Sequence, residues 1–206
     1  MTAPRGRGFW ERAKLAAMRD IQQVAVDLFE RHGFHAVTVE QVAKAAGVSA
    51  SSIYRYFDAK EMLVLWDEYD PQIIELVRTA GAGPQSIGQL MDILESAGAG
   101  LAAAILAAGD EERIKRRMRL VNTVPDIRAG QQRLVEEFEV ELRDVLAERL
   151  GLEPGSLALR IASAQACWGF QAAIDYWVAG EFSEPLGDVL ADALSRVARG
   201  LRAQFD

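Results

Sequence analysis

Cysteine is almost absent from this 206-residue chain, and its single thiol, Cys167, allows no disulfide within one copy. A chain without disulfides is typical of a reducing compartment. The N-terminus has no apolar segment followed by a signal-peptide cleavage site, which argues against export. The longest uncharged apolar stretch, residues 101–108, is far shorter than the ~20 residues of a membrane-spanning helix. We therefore expect a cytoplasmic protein without a membrane span.

Residue patterns typical of enzymes are also missing. The two histidines, His32 and His35, lie close together in the sequence, with no second cluster of histidine or cysteine to complete a metal site. There is no Glu-x-x-His pair for a di-iron centre and no glycine-rich loop of the kind that holds phosphates. Cys167 lies in an apolar segment, where a buried and unreactive thiol is the rule. The sequence predicts no catalytic residue, no metal and no cofactor.

The alternating runs of Val, Ile and Thr that half-buried strands need do not occur. Ala, Leu, Glu, Gln and Arg instead fill long segments with helical periodicity, and half of the chain is apolar. The sequence therefore predicts an all-α protein with a substantial core and about nine helices. We place these helices at residues 10–32, 38–45, 49–56, 59–79, 86–107, 110–122, 125–150, 156–180 and 185–204.

Negative charge dominates the chain, whose formal net charge is −7, but the excess is unevenly distributed. Residues 1–61 carry nine Lys or Arg against seven Asp or Glu, whereas residues 62–206 carry 14 against 23. A basic segment joined to an acidic body is compatible with nucleic-acid binding by the first part alone. Residues 1–9 form a predicted flexible basic arm, which either enters a DNA minor groove or is a solubilising tail.

Three helix starts follow one another closely after the first helix. Thr38 is a predicted N-cap, and Gln41 three residues later completes a capping box. Ser49 is the predicted N-cap of the next helix. Asp58 is the predicted N-cap of a fourth, with Glu61 completing its box. Short capped helices in such quick succession predict a helix-turn-helix between about residues 37 and 57.

The turn of this motif contains Gly47, which permits the positive φ that a tight connection requires. The helix after it presents short hydroxyls, two phenols and one guanidinium on its outer face. Such a surface suits a helix lying in a DNA major groove. Alternatively, the two tyrosines cap a small core. The candidate DNA-binding residues on this helix are Ser49, Ala50, Ser51, Ser52, Tyr54, Arg55 and Tyr56.

Residues 25–63 resemble the DNA-binding domain of the tetracycline-repressor (TetR) family. The matching segments are Ala-Val-Asp-Leu-Phe-Glu-Arg-His-Gly-Phe, Thr-Val-Glu-Gln-Val-Ala-Lys-Ala-Ala-Gly-Val-Ser and Ile-Tyr-Arg-Tyr-Phe-Asp-Ala-Lys-Glu. The resemblance implies a homodimer with a three-helix helix-turn-helix domain at 10–58 and a ligand-binding and dimerisation domain at 59–206. It further implies a regulator that binds a palindromic DNA operator, usually as a repressor, and is released by a small effector.

The same resemblance assigns roles to individual residues. Thr38 and Lys60 fall on positions that bind DNA phosphates, and the residues of the third helix fall on positions that touch backbone or bases. Ala50 stands where many members carry Lys or Arg, and Ser51 where many carry Gly. These departures imply fewer phosphate contacts and a larger role for Arg55 in base recognition.

The last helix carries an unbroken apolar stripe over four turns, and the helix before it is apolar on nearly every side. We expect these two helices to form a four-helix dimer interface with their copies in a second subunit. The alternative is that they complete the core of one chain. The candidate interface residues are Leu186, Val189, Leu190, Ala193, Leu194, Val197 and Leu201.

Aromatic and sulfur-containing side chains between residues 63 and 177 are candidates for lining a pocket for a largely apolar effector. Residues of this kind at helical spacing also form ordinary cores. The candidate pocket residues are Trp66, Tyr69, Met91, Leu94, Met118, Asn122, Trp168, Phe170, Tyr176 and Trp177.

A basic run at residues 113–119 interrupts the acidic body. It is either a solvated helix face paired with Asp110, Glu111 and Glu112, or a surface that steers an anionic ligand to the pocket. Residues 119–125 are loosely similar to a TetR subgroup, some of whose members respond to fatty acyl-coenzyme A. Acyl-CoA is therefore a candidate effector.

Three other classes of protein are rivals to a regulator: an enzyme, a sequence-indifferent DNA binder and a pure interaction module. The salt dependence of binding separates the sequence-indifferent DNA binder from a sequence-specific regulator.

Overall fold

The computed structural model describes residues 7–79, 86–93, 95–96, 100 and 109–205, and over these ranges it contains helices, turns and bends but no strand. This confirms the predicted all-α class. The helices are α1 (Arg7–His32), α2 (Val39–Ala46), α3 (Ala50–Phe57), α4 (Met62–Leu65), α5 (Asp70–Thr79), α6 (87–93), α7 (Glu111–Thr123), α8 (Pro125–Leu150), α9 (Leu157–Ala179) and α10 (Leu186–Phe205).

The chain divides into two compact units. Unit 1 comprises Met1–Glu68 and Arg116–Gly130, and unit 2 comprises Tyr69–Lys115 and Gln131–Asp206. Helix α7 therefore begins in unit 2 and ends in unit 1. The domain boundary that the sequence places at 58/59 stays a prediction. Most of the expected basic arm, together with Leu94 and residues 101–108, lies outside the described residues.

Unit 1 is built on the apolar stripe of α1. Ile21, Ala25 and Phe29 of this helix are at most 2% exposed, and they share the core with Val42 of α2 and Ile53 of α3. The i, i+4, i+8 spacing places the three α1 residues on one face, so that a single helix supports the two short ones. The edge-on contact of Phe29 with Phe34, with ring centroids 5.1 Å apart, closes the turn after α1.

The prediction of one continuous helix at 59–79 is wrong, because the chain forms α4 and α5 with a break at residues 66–69. Pro71 lies in the first turn of α5 and has no N–H to continue a hydrogen-bonded helix from residue 67. The carbonyl groups of Val64, Leu65 and Trp66 accept hydrogen bonds from side chains of α1 and α7 instead. The break is therefore fixed both by a local signal and by distant partners.

Unit 2 has its own apolar core, formed by α5, α6, α8, α9 and α10. Helices α9 and α10 pack closely where Gly169 faces Val197, because a Cβ on Gly169 would lie only 2.9 Å from Val197 Cγ2. The shared core residues include Leu90, Leu146, Leu159, Ala198 and Leu201. No helix within the described ranges is both long and apolar enough to span a bilayer.

Candidate DNA interface

The start of α2 has the predicted capping box. The Thr38 hydroxyl accepts a hydrogen bond from the Gln41 main-chain N–H at 3.2 Å, and the Gln41 side-chain oxygen accepts one from the Thr38 N–H at 2.7 Å. Thr38 is exposed and has the extended backbone of an N-cap, with φ −97° and ψ 161°. This confirms the predicted box and leaves the Thr38 side chain on the surface of the unit.

The connection between α2 and α3 is a tight helix-turn-helix turn. Gly47 ends α2 with φ 68° and ψ 28°, a left-handed conformation that costs a glycine little. Its N–H donates to Lys44, and the N–H of Val48 donates to Ala43. Ser49 then caps α3, its hydroxyl accepting from the Ser52 N–H at 3.1 Å. The predicted turn and the second N-cap are both confirmed.

Helix α3 is sharply divided into a buried and an exposed face. Ile53 and Phe57 are 1% and 2% exposed, and they fix the helix to the core of unit 1. Tyr54 is 49% exposed, and Ser51 and Arg55 are also exposed. Tyr54 therefore does not cap a core, contrary to one alternative reading of the sequence. The exposed face offers hydroxyl, phenol and guanidinium groups on a rigid support.

Tyr56 lies at the edge of this face and is half-buried. The guanidinium carbon of Arg55 is 5.0 Å from the centre of the Tyr56 ring, and Lys14 Nζ of α1 is 5.9 Å from it. Arg55 Nη2 also lies 3.4 Å from the Tyr56 hydroxyl oxygen, to which it donates. Each of these cations lies within the distance at which it is attracted to the face of the ring. The sequence pattern does not indicate that Lys14 lies beside α3.

The third predicted N-cap is wrong. Asp58 follows α3 with a positive φ of 48°, and its N–H donates to Tyr54, so it ends α3 instead of starting a helix. Helix α4 begins at Met62 after Glu61, which provides no side-chain cap. In the predicted capping box at 58–61, Asp58 therefore marks the end of α3 and not the start of the next helix. A positive φ is uncommon for residues other than glycine, and Asp is among the types that adopt it more often.

Lys60, a candidate phosphate ligand, has partners inside unit 1. Its ammonium group donates to the main-chain carbonyl of Phe34 and lies 4.3 Å from the centre of the Phe34 ring. Partial burial lowers the pKa of Lys60 from its ordinary value of 10.5. Because an ammonium group has three N–H donors, this hydrogen bond does not exclude the phosphate contact expected of Lys60, which stays a prediction.

The basic run of α7 forms specific internal pairs. Arg113 and Lys115 pair with Asp110 and Glu111, as one reading of the sequence expected. Arg116 and Arg117 point elsewhere, to Asp27 and Glu30 of α1 and to the end of α4. Arg117 is 2% exposed, so the run is not simply a solvated face. Pairing of these four cations also disfavours the reading that they form an open patch that steers an anionic ligand.

The candidate pocket residues are distributed over both units. Trp66, Met118 and Asn122 belong to unit 1, where Trp66 packs edge-on against Phe57. In unit 2, Met91 and Trp177 are buried, whereas Trp168 and Tyr176 are 41% and 59% exposed. Phe170 is half-buried, and the Tyr69 hydroxyl donates to Asp110. A pocket lined by this set stays a prediction.

The stripe of α10 faces the core of its own chain. Leu186, Val189, Ala193, Val197 and Leu201 are at most 7% exposed, and Leu190 and Leu194 are half-buried. The exposed large apolar side chains of the region lie on α9 instead. They are Leu157 at 72%, Ile161 at 47%, Trp168 at 41% and Tyr176 at 59%.

A capped helix-turn-helix joined to a helical second unit defines a transcriptional regulator of the helix-turn-helix class. Family comparison agrees: the model for bacterial regulatory proteins of the tetR family matches residues 21–65, and that for the MftR C-terminal domain matches residues 89–202. Since the second match alone covers more than half of the chain, the protein belongs to the TetR family. The resemblance found in the sequence is confirmed.

Similar proteins of known sequence are regulators. A protein described as a mycofactocin biosynthesis transcriptional regulator, MftR of Mycobacterium tuberculosis, is 26% identical over 88% of this chain and 89% of its own length. The regulator TcmR of Streptomyces glaucescens is 28% identical over 74% of this chain and 68% of its own. The family and these relatives are regulators and not enzymes, as predicted.

Solved structures show the same fold. NalD, the secondary repressor of the MexAB-OprM efflux pump in Pseudomonas aeruginosa, has a TM-score of 0.57 at 20% identity, over 90% of this chain and 96% of its own. FadR of Bacillus subtilis, solved with stearoyl-CoA, has a TM-score of 0.52 at 21% identity, over 88% and 98%.

Proposed function

We propose that the protein is a ligand-responsive repressor that binds a palindromic operator as a homodimer, with α3 in the major groove of each half-site. The observation that carries the proposal is the division of α3. Ile53 and Phe57 hold the helix rigidly, while Ser51, Tyr54 and Arg55 are exposed on its other face. Side chains that discriminate bases must project from a rigid support, which this division supplies.

The proposed DNA contacts divide into two kinds. Main-chain N–H groups at the starts of α2 and α3, together with hydroxyl groups, bind phosphates and fix the register. Arg55 and the tyrosines of α3 reach base edges, and a bidentate Arg–guanine pair supplies the strongest discrimination. The proposed contact residues are Thr38, Ser49, Ala50, Ser51, Ser52, Tyr54, Arg55 and Tyr56.

A second copy of the chain is the proposed occupant of the exposed apolar face of α9. Leu157, Ile161 and Trp168 are four and seven residues apart, which places them along one side of the helix. Exposed apolar side chains aligned in this way are typical of subunit interfaces. Helix α10, whose stripe is committed mainly to its own chain, supports α9 from behind. A two-fold axis between the subunits then requires an operator with two-fold symmetry.

The proposed effector is a small and largely apolar molecule. Long-chain acyl-CoA is a candidate, supported by the segment at residues 119–125 and by the shared fold of FadR, whose structure contains stearoyl-CoA. Titration of the DNA complex with acyl-CoA, free fatty acid and a neutral hydrocarbon tests this. Release by acyl-CoA alone supports the candidate, whereas release by none of the three contradicts it.

Selection of bound duplexes from a random pool tests the proposed DNA binding. We expect a palindrome with half-sites about one helical turn apart or more, and light scattering should give twice the chain mass. Enrichment without two-fold symmetry, or a monomer at the concentrations that bind DNA, contradicts the proposal. Transcription of the adjacent gene should rise when the regulator is deleted, and a fall would identify an activator.

A further inference from the structure

The end of α4 is held by two buried polar side chains of unit 1. Arg117 Nε donates to the carbonyl of Val64 at 2.6 Å, and its Nη2 donates to that of Leu65 at 3.1 Å. Gln22 Nε2 donates to the carbonyl of Trp66 at 3.0 Å. Arg117 and Gln22 are 2% and 0% exposed. Three consecutive carbonyl groups therefore receive donors from α7 and α1.

These contacts compensate groups that would otherwise be costly to bury. The last carbonyls of a helix have no partner within it, and they carry partial negative charge that a cation stabilises. A buried guanidinium is tolerated only when its donors are satisfied, and Arg117 also donates to Asp67 Oδ2 at 3.3 Å. The planar fork of Arg117 places separate nitrogens at two neighbouring carbonyls, whereas a lysine ammonium would have to reach both from a single nitrogen.

The end of α4 contacts α3, the proposed recognition helix. Trp66, the residue after α4, packs edge-on against Phe57 with ring centroids 6.1 Å apart and an interplanar angle of 89°. Phe57 is the last residue of α3 and is 2% exposed. A shift of the chain at Leu65 and Trp66 would therefore move the packing surface of α3.

Arg116, the residue before Arg117, connects α7 to α1. Arg116 Nη2 donates to Asp27 Oδ1 of α1 at 2.6 Å and also pairs with Glu30, and these carboxylates raise its pKa. Consecutive arginines of α7 thus hold α1 and the end of α4. These contacts lie within unit 1, and none of them involves a proposed DNA-contact residue.

We propose that Arg117 is a positioning residue for DNA recognition, which sets the orientation of α3 by holding the carbonyl end of α4 against Trp66. The proposal rests on the proposed function, because it concerns the same recognition helix. Arg117 is not itself a proposed DNA contact. It acts through Val64, Leu65 and Trp66 on Phe57.

The test compares Arg117→Met, Arg117→Lys and the control Arg119→Met, which removes an exposed arginine from the same helix. Affinities for the selected palindrome and for a scrambled duplex are measured over a range of salt concentrations, well below the melting temperature. We expect Arg117→Met to lower the specific-to-nonspecific ratio by about tenfold or more, with an unchanged salt slope. Arg117→Lys should restore part of the ratio, and Arg119→Met should leave it unchanged.

A lower melting temperature with an unchanged ratio would overturn the proposal, since Arg117 would then only stabilise the fold. A salt slope smaller by about 0.9 per subunit would also overturn it, because that result identifies a phosphate contact. If Arg117→Met does not fold, Gln22→Leu removes the donor to the adjacent Trp66 carbonyl, and the same outcomes support or overturn the proposal.

A second readout does not depend on DNA. Fluorotryptophan NMR reports Trp66 and Trp168 separately once each signal is assigned by a Trp→Phe variant. We expect Arg117→Met to shift the Trp66 signal of the folded protein and to leave the Trp168 signal in place. An unshifted Trp66 signal contradicts the positioning role, even if the wild type binds no palindrome and the proposed function itself fails.

Discussion

The ammonium group of Lys60 donates to the main-chain carbonyl of Phe34 and lies 4.3 Å from the centre of the Phe34 ring. This pair ties the start of the α4 region to the turn after α1, two segments 26 residues apart. A lysine at this position therefore has a structural role in the absence of DNA. The salt dependence of operator binding shows whether Lys60 also serves as a phosphate ligand.

We expect Lys60→Gln to lower the free energy of unfolding by about 1 kcal/mol, because the Phe34 carbonyl loses a charged donor. The salt slope of operator binding should stay that of the wild type. Lys44→Gln, an exposed substitution on α2, is the control and should leave stability within about 0.5 kcal/mol. A slope that falls by about 0.9 per subunit would show that Lys60 binds a phosphate.

Cys167 should react slowly at neutral pH. Burial raises the pKa of its thiol from 9.0 to about 12, and the charges of Glu139 and Asp70 add to the effect. Because alkylation requires the thiolate, the rate should rise about tenfold per pH unit and should not level off near pH 9. A plateau near pH 9 in the folded protein would contradict the raised pKa.

The same shift predicts a pH dependence of stability. The folded-state pKa lies above the unfolded value, so the unfolded state loses its proton first as the pH rises. The contribution of Cys167 to the free energy of unfolding is therefore complete below pH 9.0 and is lost as the pH rises towards about 12. The difference in stability between the wild type and Cys167→Ala, followed by denaturant unfolding, measures this loss. A constant difference over that range contradicts it.

A charge on the exposed face of α9 should prevent dimerisation. Ile161→Glu places a carboxylate in the proposed interface, where it would be buried without a partner, and we expect monomers in light scattering. Val140→Glu on α8 is the matched control, because Val140 is 45% exposed and Ile161 is 47% exposed. A dimeric Ile161→Glu protein, or a monomeric Val140→Glu protein, would place the interface elsewhere.

The helix-turn-helix is predictable from sequence because its signals are local. The Thr38 box and the Ser49 cap each involve residues three apart, and Gly47 supplies the one positive φ that the turn needs. The capping pattern at Asp58 is just as local, but it led to a wrong prediction because such a pattern is ambiguous. A short polar residue can end one helix as readily as it starts the next, and only the backbone at residue 58 distinguishes the two.

The break between α4 and α5 shows what periodicity alone misses. Pro71 was a usable local signal, but the position of the break depends on Arg117 and Gln22, which lie 53 and 42 residues from Val64.

Likewise, the apolar stripe of α10 identifies a buried face but does not indicate which residues bury it. Val197 and Leu201 pack within their own chain, whereas exposed Ile161 and Trp168 lie on a helix whose sequence is apolar on nearly every side.

Arg55 is the residue on the exposed face of α3 that we expect to recognise bases. Selection from the random DNA pool is repeated with Arg55→Ala, and its sequence preference is compared with that of the wild type. We expect preference to be lost at one base pair in each half-site, symmetrically about the centre, at a cost of about 1–3 kcal/mol per site. An unchanged preference, or an equal loss of affinity for every duplex, would contradict base recognition by α3.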